Sequence, residues 1–210
     1  MGQYYRPVVL KKNYKTANNP VEASLSPYDY CNGAKLMEHS YVANKYVRSV
    51  EFMLANQYKG YRFAWVGDYA SDVNLIKTTK HPDGIDLYTA ANNWMDENAN
   101  AYRALRGTIP VMCAEYEEFD PYLHIPYYKY LVNYTKKEYC TIPKYNPAND
   151  ECVVNPLPLL TADGNGQGGG DYYVEDARVG SWAYDSIGIT NDSNEIKGFK
   201  RISGKFKRDW

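Results

Sequence analysis

Histidine is scarce in this chain: His39, His81 and His124 are the only three among 210 residues. That leaves little material for imidazole acid–base or metal chemistry. The four cysteines, Cys31, Cys113, Cys140 and Cys152, form no C-x-x-C pair, which excludes a zinc ribbon and a thioredoxin-type site. No G-x-S-x-G elbow and no Gly-Lys-Ser/Thr sequence occurs, so a hydrolase nucleophile elbow and a Walker A loop are excluded. No apolar run reaches the roughly 18 residues of a membrane span. The opening MGQYYRPVVLKKNYK has no basic stretch followed by an apolar one, so no secretory leader is expected. Arg6 stands where N-myristoylation needs Ser or Thr. A cytoplasmic setting with free thiols is expected. The net charge of −1 excludes wholesale electrostatic binding of nucleic acid, though not a local basic patch.

What remains is a globular composition, 44% hydrophobic and 23% charged, long enough for one domain spanning 1–210. Tyrosine outnumbers phenylalanine 23 to 5. Its apolar ring and polar tip suit half-wet positions and binding surfaces. The tyrosines spread over the whole chain, with Asn and Lys also frequent, so the excess reads as codon bias of an AT-rich genome. The periodicities predict strands at about 4–12, 21–25, 62–66, within 129–142, near 179–189 and near 198–202. Ser40 can cap a helix over about 41–57, on which Ala43, Val47, Val50 and Leu54 share a face. A second helix is expected over about 87–105. Pro156 and Pro158 argue for an irregular segment. The mixed order gives an α+β class: a single domain with a largely antiparallel or mixed sheet and two main helices.

Residues 164–170 hold five glycines, Gly164, Gly166, Gly168, Gly169 and Gly170. They spell G-x-G-x-x-G, but no helix start follows, so the dinucleotide reading fails on context. Two readings stay open: backbone N–H groups binding a phosphate, with Arg178 nearby, or a structural loop whose glycines permit positive φ. The C-terminal residues 196–210 carry six cations against Asp209, a net of +5, leaving −6 on the rest. Lys200, Arg201, Lys205, Lys207 and Arg208, with Trp210, have the cation-and-ring composition of a single-strand nucleic-acid contact. A solubilising end explains the same charges.

Among titratable groups, His39 precedes the first helix, Asp68 ends a strand in FAWVGDYA, and Asp171 follows the glycine loop. If folding brings them together, they make a general acid–base or divalent-metal site. The competing reading makes His39 a hydrogen-bonded structural residue. No metal-ligand spacing is present.

The stretches GQYYRPVVL, NGAKLMEHSYVAN, RFAWVGDYA, PLPLLTADGNGQGGGDYY and VGSWAYDSI resemble a group of small uncharacterised proteins of bacteria, prophages and phages. The resemblance implies a phage- or mobile-element-encoded protein of the cytosol. It carries no catalytic residue with it. The glycine loop, the tyrosines and the phage-like resemblance point to a binding or host-interaction module for a small phosphorylated ligand, a nucleic acid or a host protein, and the few histidines and lack of a strong motif favour binding over catalysis. The alternatives are a metal-dependent hydrolase of a phosphorylated substrate and a virion-associated structural protein. No cofactor is expected except a divalent metal under the hydrolase reading, and no membrane partner.

Overall fold

The computed structural model describes residues 2–70, 75–110, 125–146, 153–165 and 178–203. Eight strands form one sheet: β1 (Tyr5–Leu10), β2 (Val21–Ser24), β3 (Tyr61–Gly67), β4 (Tyr130–Asn133), β5 (Glu138–Thr141), β6 (Ala162–Asp163), β7 (Ser186–Thr190) and β8 (Lys200–Arg201). The order is β2-β1-β3-β7-β4-β5-β8, with β6 beside β3. Pairings are antiparallel except β3–β6 and β5–β8. The fold is therefore α+β with a mixed, largely antiparallel sheet.

Every residue of β1 is buried, as expected of a strand covered on both faces. The register shows which helix covers which face. Arg6 pairs with Val66, and its guanidinium lies 4.5 Å over the Tyr88 ring of α3 (Leu87–Glu97). On the opposite face Trp65 stacks on His39 at 5.4 Å and meets Tyr46 of α2 (Lys45–Ala55) edge-on at 5.6 Å. Pro7 is tolerated inside β1 because odd-numbered N–H groups point toward β2, as the Tyr5 N–H to Ala34 bond shows. The β1–β2 ladder begins only at Val8↔Ser24, so Pro7 costs no ladder bond.

Helix boundaries follow their caps. Asn44 accepts from the Tyr46 and Val47 N–H groups (2.9 and 3.2 Å), so α2 begins at Lys45. Ser40, the expected cap, instead donates from Oγ to the Leu36 carbonyl (2.6 Å) and closes the short α1 (Leu36–His39). The helix expected over 87–105 is two helices. Asn98 leaves helical geometry (φ −116°, ψ 40°) and its amide donates to the Trp94 carbonyl, separating α3 from α4 (Ala99–Thr108). The proline-containing 156–161 segment is α5 (Pro156–Thr161). Asn155 caps it, and Pro156 takes the first position, where no N–H is needed.

Several tyrosines pack their rings against the core and bond their hydroxyls to backbone carbonyls or carboxylates. Tyr46 donates to the Leu25 carbonyl (2.9 Å), Tyr127 to the Ile142 carbonyl (2.6 Å) and Tyr134 to Glu195 (3.0 Å). Tyr102 and Tyr184 donate to Asp29 and Asp163. Phenylalanine would remove a donor from each of those acceptors.

Candidate functional site

His39 and Asp68 are not joined. His39 is fully buried, with Nδ1 3.1 Å from the Gly33 carbonyl oxygen and the ring against Trp65 and Tyr46. Its Nε2 has no partner, and burial holds its pKa down to about 4 despite the Gly33 carbonyl. An enclosed neutral ring without a carboxylate neighbour is the structural histidine of the competing reading. Asp68 accepts from the Tyr4 N–H (3.0 Å) at the end of β3. Asp171 lies outside the described residues. Among the described residues no group of three or more His, Cys, Asp or Glu side chains could hold a metal.

The first glycine of the loop lies beside the end of β3. Trp65↔Ala162 and Val66↔Asp163 run parallel, which brings Gly164 alongside Gly67. The space over both glycines is filled from within. A Cβ on Gly164 would collide with the Tyr5 hydroxyl and with Gln3, and one on Gly67 would collide with Gln3, which is fully buried. Gly164 thus permits a close internal approach and leaves no room there for a ligand. Gly166, Gly168, Gly169 and Gly170 lie outside the described residues. Arg178 is engaged by Glu138 (3.6 Å), which also accepts from Trp182 Nε1 (3.0 Å). Lys200 and Arg201 are exposed in β8, at the sheet edge opposite β2. Lys205, Lys207, Arg208 and Trp210 lie outside the described residues.

The expectation of four free thiols is corrected at Cys31, which is disulfide-bonded. Cys140 is free and buried, and burial raises its pKa well above the usual thiol range.

Two polar clusters went unread in the sequence. In the first, Arg48 pairs with Glu51 one helical turn on and donates to the Ile125 and Pro126 carbonyls (2.8 and 2.7 Å). Asn155 donates to the other Glu51 oxygen (2.6 Å). Both charged side chains are buried, and burial raises the Glu51 pKa against the opposing pull of Arg48. The cluster ties α2 to the 125–126 segment and to the start of α5.

The second cluster lines an open groove of about 470 Å³ between α3–α4 and the β1–β2 end of the sheet. Trp94, Leu105 and Tyr58 supply apolar surface, and Lys11, Glu22, Gln57 and Asn98 supply polar groups. The sheet aims Glu22. Between Val9 and Leu10 the β1–β2 register shifts, with Val9↔Ala23 followed by Leu10↔Val21, so Glu22 has no residue opposite it. Such a bulge redirects a side chain. The Glu22 charge adds to burial in pushing the Tyr58 pKa up to about 12. Lys11 Nζ, the Glu22 carboxylate, the Gln57 amide and the Tyr58 hydroxyl have no hydrogen-bond or ion-pair partner among the described residues.

No family model matches the chain, and neither a curated protein nor a solved structure is significantly similar to it. The site is therefore read from its own chemistry. A concave, partly aromatic surface with a few convergent polar groups is the usual form of a small-ligand site, and about 470 Å³ falls in that size range. One ammonium, one carboxylate and one primary amide can bind an anionic group, accept from an amino group, and both donate and accept. The groove could have been sought in the sequence at only one point, the KK pair after the first strand. Its walls come from positions 11, 22, 57–58 and 94–108, which no spacing rule connects.

Proposed function

We propose that the chain is a binding module, without covalent chemistry, that takes a nucleotide-type ligand in the α3–α4 groove. One observation carries this reading: four polar side chains converge on a concave, partly aromatic surface and have no hydrogen-bond or ion-pair partner among the described residues. Polar groups at such a place give up water only for a partner. Lys11 offers charge to a phosphate, Glu22 accepts from an exocyclic amino group, and Gln57 donates and accepts at a heterocycle edge. Tyr58 and Trp94, both largely buried, give the groove an apolar wall against which a planar base can pack. The resemblance to phage and prophage proteins adds the context of a mobile element. The hydrolase reading has no support in the placement of His39, and no observation favours the virion reading.

Tryptophan fluorescence titration with nucleoside monophosphates tests the proposal. A saturable change is expected, weaker with the nucleoside lacking phosphate and weaker with ribose phosphate lacking the base. Absence of binding by all three overturns it. No described helix is long and apolar enough to cross a membrane. A reducing cytosol would leave Cys31 as a thiol, so the Cys31 disulfide removes support from the cytoplasmic setting. Thiol counting in denaturant decides between them. Two thiols without reductant and four with it are expected for a bridged Cys31, and four in both cases restores the cytosolic reading.

A further inference from the structure

The groove opens at one end of the sheet, and that end is basic. β1 runs out into Lys11, Lys12 and Lys15, and β3 begins at Tyr61 and Arg62 beside them, because the two strands are antiparallel. The segment carrying Lys77 and Lys80 is fastened to the same end. The Thr79 N–H donates to the Lys15 carbonyl (2.7 Å), and His81 Nε2 lies 2.8 Å from the Asn18 carbonyl oxygen. None of Lys11, Lys12, Lys15, Arg62, Lys77 and Lys80 has a carboxylate within ion-pair distance among the described residues, whereas nearby Lys59 is held by Glu195 at 2.5 Å. In a chain of net charge −1, this is a concentration of unneutralised cations.

Rings alternate with the cations. Lys12 Nζ lies 5.1 Å over Tyr61, and the Arg62 guanidinium lies 5.8 Å from the Tyr14 centroid. Tyr61 meets Tyr58 edge-on at 5.6 Å, and Tyr58 lines the groove. Tyr61 therefore joins the groove to the basic end, meeting Tyr58 on one side and Lys12 on the other. We infer that this end of the sheet is a track for the backbone of a single-stranded nucleic acid, one base of which enters the groove. The inference rests on the groove reading for the base and on the cations for the backbone. A single strand fits better than a duplex because a base reaches the groove only after leaving its stack, and the half-buried Tyr14 and Tyr61 rings offer a substitute for the lost stacking. An acidic peptide would match the charge but would leave the rings without planar partners.

The test is anisotropy of a labelled single strand about 12 nucleotides long, in DNA and RNA form, at several salt concentrations. Six phosphate contacts predict a slope of about −4 in log affinity against log[salt]. Replacing Lys12, Lys15 and Arg62 together by alanine is expected to flatten the slope by about 2 and to weaken strand binding about tenfold or more. The same variant should bind a nucleoside monophosphate as the native protein does, which also shows that it folds. Strand affinity no greater than mononucleotide affinity, or unchanged in the triple variant, overturns the track. So does equal affinity for poly-glutamate or tighter binding of the duplex. Salt-dependent strand binding without mononucleotide binding supports the track and overturns the groove reading alone.

Discussion

In the interior Arg48, Glu51 and Asn155 bond to one another, whereas at the groove Lys11, Glu22, Gln57 and Tyr58 have no hydrogen-bond or ion-pair partner among the described residues. Both clusters join charged and amide groups to a tyrosine, since Tyr128 lies 5.6 Å from the Arg48 guanidinium. Their difference is access to water. A buried charge without its partner costs several kcal/mol, so the interior cluster must close on itself. The groove groups stay hydrated when empty, and the protein loses little by leaving them open. Stability thus resides in the first cluster and recognition in the second.

The largest effect should come from breaking the interior cluster. Glu51→Ala leaves Arg48 buried without its carboxylate and should cost about 3–5 kcal/mol in denaturant unfolding. A cost below about 1 kcal/mol would erase the distinction between the clusters. Next comes His39, which like Glu51 is buried but has nothing to pair its charge. The unfolded chain takes up a proton near the ordinary 6.5, and the folded ring only near 4. Stability is therefore full above pH 6.5 and falls as pH drops toward 4, by up to about 3 kcal/mol. Glu51, with its raised pKa, works in the opposite sense over the carboxylate range, so the His39 share is the part of the pH dependence that His39→Leu abolishes. An unchanged profile in that variant would show that the imidazole is not neutral inside.

Asn44 stands between the two extremes. It is half-buried, caps α2 and exchanges hydrogen bonds with Asn32 (3.2 and 2.9 Å). Asn44→Ala should cost about 1–2 kcal/mol in thermal unfolding. The groove should give the smallest change in stability, with Glu22→Gln and Ala101→Trp each within about 0.5 kcal/mol of the native protein. Mononucleotide binding should nonetheless weaken about tenfold with Glu22→Gln, where a charged acceptor becomes a neutral one. It should be lost with Ala101→Trp, where an indole fills the space. A groove variant that destabilises the protein while binding normally would reverse the roles of the two clusters.

The sheet was largely legible in the sequence. Val8, Val9 and Leu10 marked β1, and the run at 62–66 marked β3, because β propensity and burial act together there. Helix starts were less legible. Ser40 and Asn44 are both competent caps four residues apart, and only the bond from Asn44 to two N–H groups chooses between them. The split at Asn98 was hidden because apolar periodicity continues across it from Trp94 to Leu105. His39 and Asp68 were singled out for their chemistry, but chemistry on a sequence carries no depth. His39 proved to be packed under Trp65.

Composition and local pattern determined an α+β chain, its main strands, the cations after β1 and the absence of familiar catalytic motifs. Those properties depend on residues within a few positions of one another. Tertiary structure alone decided that Gly164 stands against Gln3 and Tyr5, that a register shift frees Glu22, and that α4 stands over it to make a groove. It also brought the 77–81 segment to the lysines that follow β1. Each of these joins positions beyond the reach of local sequence pattern, and their proximity is set by strand register and helix packing, which only the folded chain possesses.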